Sequence, residues 1–211
     1  MLLVNRSAML HRLALATLLL VMAAYLAACA AAPRWASDDA VMAARHVHGG
    51  APELTLVTIM NYRSGRGDHA SLFINGTERV LYDPSGKWEL DEIPERNDLH
   101  FGITSVAGAS YYLSHVRDTH YAVVQRLQVS PEIARQAKQI ALSNGPVGPA
   151  RCAATISALL QQMDGFESIG RTWFPHNLMN DFAQIPGVER HELHHDTPDL
   201  LEEIYRVQQP L

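Results

Sequence analysis

Cysteine is scarce in this sequence. Its 211 residues contain two, Cys29 and Cys152, so no set of disulfides can staple a small, loop-rich fold. A basic stripe is also missing. Lys and Arg total 17 against 22 Asp and Glu, for a formal net charge of -5, which speaks against a nucleic-acid surface. Nor is any apolar run long enough to span a bilayer. Leu13 to Ala28 falls short of the roughly 20 residues a membrane helix needs. Beyond that run no internal repeat or low-complexity segment is found.

What the N-terminus does contain is specific. Arg6 and Arg12 open a positive segment, and Leu13 to Leu20 runs through Leu and Ala. A charged start followed by a short apolar core is the pattern of a secretory signal. It ends in Leu26-Ala27-Ala28-Cys29, which resembles the bacterial lipoprotein signal. The resemblance implies cleavage before Cys29 and acylation of its thiol and amino group. Ala30, rather than Asp, follows, which by the same resemblance favours the outer membrane. The expected partner is thus a membrane, held through lipid, in the cell envelope facing the periplasm. Each buried methylene of such an anchor contributes about 0.8 kcal/mol.

Residues 1–28 are therefore read as signal peptide, residues 29–52 as a tether and residues 53–211 as one domain with a C-terminal helical extension. The tether assignment rests on the small, polar, patternless composition of 30–52, which includes His46 and His48. In the domain, strands are expected over Leu54–Met60, His69–Ile74, Arg79–Asp83 and Tyr121–Leu127. Asn75-Gly76 marks a hairpin turn between the second and third of these, because both residues tolerate positive φ. Ser130-Pro131-Glu132 opens a helix with a cap, a first-position Pro and an acid. Further helices are expected over Tyr111–Val116, Cys152–Met163, Asn177–Ala183 and Leu200–Val207, and a strand over Val188–Leu193. The fold class is α+β: an antiparallel meander packed against helices.

With Cys29 committed to lipid, Cys152 is a lone thiol in an oxidising compartment. Such a thiol is either buried and inert or kept for chemistry. The loop Gly145 to Arg151 delivers it to the first turn of a helix, where free N–H groups favour a thiolate and can hold an oxyanion. His69 begins a strand beside a Gly-rich loop. Folding the hairpin sets Asp83 next to His69 on one sheet face, able to orient the imidazole. The alternative role for Asp83 is to cap the Pro84-Ser85-Gly86 turn. Tyr62, one strand over, is a candidate oxyanion donor. Trp173-Phe174-Pro175 packs in the core or walls a cleft. His191, His194 and His195 look metal-like beside Glu192 and Asp196, but a solvated strand end is the simpler account. No metal or other cofactor is expected.

The stretch Gly67-Asp68-His69-Ala70-Ser71-Leu72-Phe73-Ile74 resembles the His strand of circularly permuted NlpC/P60 proteins. These are papain-like hydrolases and acyltransferases in which the His precedes the Cys. The order His69, Asp83, Cys152 is similar to theirs over roughly Leu54 to Met163. Two departures are visible: Asp83 stands where a third His is common, and Arg151 where Asn often precedes the Cys. The resemblance implies a papain-like fold and a thiol-dependent hydrolase or acyltransferase. Its substrates would be cell-wall peptide amides of peptidoglycan or the acyl groups of phospholipid. The competing expectation is a non-catalytic envelope lipoprotein, acting as scaffold or binding module.

Overall fold

A computed structural model describes residues 6–28 and 33–211. The chain divides into two units, the first ending at residue 32 and the second spanning Pro33–Leu211. In the first, Arg6–Ala28 forms helix α1, as its Leu and Ala content favours. Among the described residues no helix is long and apolar enough to cross a membrane. The expected lipidation residue, Cys29, lies outside the described residues.

The second unit is mixed α and β. Its seven strands are β1 (Glu53–Asn61), β2 (Gly67–Asn75), β3 (Arg79–Tyr82), β4 (Glu95–Arg96), β5 (Leu99–Phe101), β6 (His120–Gln128) and β7 (Glu189–Leu193). They form one antiparallel sheet in the order β4-β5-β3-β2-β1-β6-β7. Its helices are α2 (Asp38–Ala44), α3 (Ser105–His115), α4 (Pro131–Ser143), α5 (Cys152–Leu160), α6 (Pro175–Phe182) and α7 (Leu200–Arg206).

Alternation along the central strands sorts the core into two faces. Leu54, Leu56, Leu72 and Ile74 pack with Ile156 and Leu160 of α5 and Leu178 and Phe182 of α6. Val57, Ile59 and Phe73 pack with Tyr111 and Tyr112 of α3 and Ile204 of α7. Helices thus cover both faces. That explains why every residue of β1 from Glu53 to Met60 is buried.

Three expectations need correction. Residues 33–52 are not a free tether but part of the compact unit. Ser37 caps α2 by accepting from Ala40 N–H, Arg79 N–H donates to His46 O, and His48 Nε2 lies 2.6 Å from Gln208 O. Composition hid this because backbone groups make most of the contacts. The hairpin after β2 is present, but neither Asn75 nor Gly76 has positive φ. A three-residue loop, Gly76–Glu78, joins Asn75 to its partner Arg79. Gly76 instead sits close to α4, where a Cβ would lie a tight 3.3 Å from the Ala134 Cβ. Finally, the segment up to Asp98, where the sequence predicts no strand, contains β4. Asn97 and Asp98 both take left-handed backbone, with φ of 45° and 66°, as a two-residue hairpin joining β4 to β5 requires.

Candidate active site

His69 sits near the start of β2, where the strand carries an extra residue. Ile59 pairs with His69 and Met60 with Gly67, so Asp68 bulges out of the ladder. Bulges re-aim neighbouring side chains. His69 then lies on the face of Ser71 and Phe73. On β3 the pairing of Leu72 with Tyr82 carries forward to put Asp83 opposite Ser71, one pleat from His69 on the same face. The side chains meet diagonally: His69 Nε2 is 2.6 Å from Asp83 Oδ1.

The turn after Asp83 does more than reverse the chain. Gly86 N–H donates to Asp83 O, and a Cβ at Gly86 would lie 1.7 Å from Asp83 Oδ2. Only glycine leaves room for that carboxylate. Ser85, with φ of 64°, turns towards the loop that carries the thiol. Its hydroxyl donates to Gly148 O at 2.5 Å and accepts from Arg151 N–H at 3.2 Å. Asp98, in the β4–β5 hairpin, accepts from Val147 N–H at 2.8 Å. Gly145 ends α4 with φ of 75°, and Ala150 is held in left-handed backbone at 60°, a conformation costing about 1 kcal/mol or more in a non-glycine residue. Three anchors thus fix a strained loop, and it ends at Cys152, the first residue of α5. No side chain caps that helix start.

The Cys152 thiol and the His69 ring are close enough to shift each other's pKa. Since Nε2 serves Asp83, Nδ1 is the nitrogen left for the sulfur. Cys152 is 4% exposed, and burial alone would push its thiol pKa up. The hydrogen bond and charge of His69, with the Ala70 and Ala153 N–H groups, bring it below the ordinary thiol value instead. Burial likewise opposes a charged His69. Its hydrogen bonds to Asp83 and Cys152 override that and lift its pKa to about 10. Asp83 is fully buried, which favours protonation, yet the hydrogen bond and charge of His69 hold it below the usual carboxylate value. All three shifts run towards a thiolate–imidazolium–carboxylate line.

Other aromatic groups frame this line. The His115 ring stacks on His69 with centroids 5.8 Å apart and planes at 11°. Its Nδ1–H donates to Tyr111 O at 2.9 Å, and burial holds its pKa down. A neutral ring there spares His69 a second positive charge. On the opposite side α6 begins against the bulge, where a Cβ on Gly67 would lie 2.8 Å from Pro175 Cβ and His176 N. Trp173 and Phe174, just before it, are each 58% exposed. They are therefore not core.

The structure brings together three of the four predicted chemical residues: Cys152, His69 and Asp83. Tyr62 is engaged elsewhere. Its hydroxyl is 2.7 Å from His194 Nδ1, and its ring packs on Tyr121. His194 in turn reaches Glu192 at 3.1 Å. Among the described residues no group of three or more His, Cys, Asp or Glu is arranged to hold a metal ion. Sequence reasoning missed Ser85, Gly86, Asp98 and His115. The Pro84-Ser85-Gly86 turn was visible, but nothing local indicated that it would meet a loop more than sixty residues later. Comparison with family models, with curated proteins and with solved structures found no match for the chain.

Proposed function

We propose that the protein is an envelope lipoprotein with thiol-dependent hydrolase or acyltransferase activity. Cys152 is the nucleophile, His69 its base and Asp83 the residue that orients the imidazole. One observation carries this reading: a buried Cys152, His69 and Asp83 line in which the thiol is shifted down and the imidazole up. A merely structural thiol needs no such partner, and burial alone would shift both groups the other way.

The chemistry follows from that line. The thiolate attacks an acyl carbonyl, and its oxygen takes the negative charge. The free N–H groups at the start of α5 are donors of the right kind. As the intermediate collapses, His69 gives its proton to the leaving amine or alcohol, and a thioester remains on Cys152. His69, now neutral, takes a proton from water or another acceptor. That nucleophile attacks the thioester, and the thiolate departs to restore the starting pair. Cell-wall peptide amides and lipid acyl groups are the two substrate classes in view, the first preferred.

Incubation of the protein with muropeptides and with phospholipids, followed by mass spectrometry, tests the reading. An acyl adduct on Cys152 from either pool supports it and names the donor. Loss of neither pool and no adduct, with the protein folded, would sink it. The alternative, a non-catalytic scaffold, draws on the 4% exposure of Cys152; it predicts that a thiol reagent labels native Cys152 no faster than after His69→Ala.

A further inference from the structure

Arg151 is the residue immediately before the nucleophile, and its backbone is pinned by Ser85. Its side chain is exposed, and among the described residues it forms no ion pair. The guanidinium carbon lies 5.7 Å from the centroid of the Trp173 ring, and that ring is itself largely exposed. Here a cation is oriented by an aromatic face, one residue from the reacting sulfur, in a protein whose net charge is -5. The loop Gly145–Arg151 contains no acid. The carboxylate that does meet this loop, Asp98, accepts from Val147 N–H.

We infer that Arg151 and Trp173 form an anion subsite, and that the acyl donor carries a carboxylate close to its scissile carbonyl. This deepens the proposed thiol chemistry and rests on it. Arg presents a planar fork that matches a carboxylate in two hydrogen bonds, and stacking on an aromatic ring fixes that fork with little loss of freedom. Phosphate groups are generally held by clusters of cations, whereas among the described residues Arg151 is the one cation in contact with Trp173. A single fork against an apolar ring suits a single carboxylate attached to a carbon skeleton. Trp173 would carry that skeleton on the rest of its face.

Iodoacetate and iodoacetamide test this without knowledge of the natural substrate. They deliver nearly the same group to a thiolate, but only iodoacetate bears a carboxylate. The rates of Cys152 alkylation by each are measured on the full chain, and their ratio is compared with that of a free thiol. The ratio is expected to exceed the free-thiol value and to fall about fivefold in Arg151→Gln, the size of one partly exposed charge pair. Arg151→Lys should recover part of it, and high salt should erase the difference. An unchanged ratio in Arg151→Gln would overturn the subsite alone. Failure of both reagents to label folded protein would overturn the thiol chemistry, and the subsite with it. As a second readout, succinate should protect Cys152 from iodoacetamide better than inorganic phosphate does. The reverse order would overturn the assignment of a carboxylate.

Discussion

Two histidine-rich regions of this protein contain similar residues and behave differently. Around Asp83 lie His69, bonded at 2.6 Å, and His115, stacked on His69. Around Glu192 lie His194, at 3.1 Å, and Tyr62. The first His–carboxylate pair has side-chain exposures of 15% and 1%, the second of 33% and 39%. Water screens the second pair and leaves it worth about 0–1 kcal/mol. The first has lost that screening, so each charge depends on its partner. Burial, more than the choice of residues, separates the candidate reaction centre from the solvated strand end.

The comparison can be broken most directly at the buried pair. Asp83→Ala should cost about 3–5 kcal/mol of stability by leaving His69 buried without its counter-charge, read from urea or thermal unfolding. Gly86→Ala should act in the same direction, since its methyl would occupy the carboxylate position. His69→Ala should slow alkylation of Cys152 about a hundredfold or more, and should cost stability of the same order as Asp83→Ala, because it leaves the Asp83 carboxylate buried without its partner.

The pH dependence sharpens the contrast. His69 has a folded pKa of about 10, above its ordinary 6.5. Its contribution to stability is fully present below the ordinary value and is lost as pH rises through about 10. Asp83 is shifted down, so its contribution is present above the ordinary carboxylate value and is lost as pH falls below it. Unfolding measured across pH should show both losses in the wild type, and neither in a Cys152, His69 and Asp83 triple replacement. At the exposed pair, Glu192→Ala should change stability by no more than about 0.5 kcal/mol and leave Cys152 alkylation alone. A slowed thiol there would erase the distinction between the regions.

Much of the fold was legible in sequence because its signals are local. Leu54–Met60 and Tyr121–Leu127 read as strands from β-branched apolar runs, and Ser130-Pro131 opened α4 as its cap chemistry demands. Cys152 was legible as a helix start because Gly and Pro precede it. Its neighbours were less so. The diagonal reach of Asp83 to His69 depends on a register set by a three-residue loop and on the bulge at Asp68. Ser85 and Asp98 act on the thiol loop through contacts 63 and 49 residues apart in sequence. Their local patterns announce turns, which is what they also form. Residues 33–52 misled for the opposite reason: their composition is that of a linker, while their backbone hydrogen bonds tie them to the domain.

The account stands on an imidazole that draws the proton from a buried sulfur. The most direct measurement is the rate of Cys152 alkylation by iodoacetamide from acid to alkaline pH, in the wild type and in His69→Ala. The wild type should hold a reactive thiolate well below the ordinary thiol pKa, and His69→Ala should lose it until alkaline pH. Superimposable profiles from the two folded proteins would contradict the account.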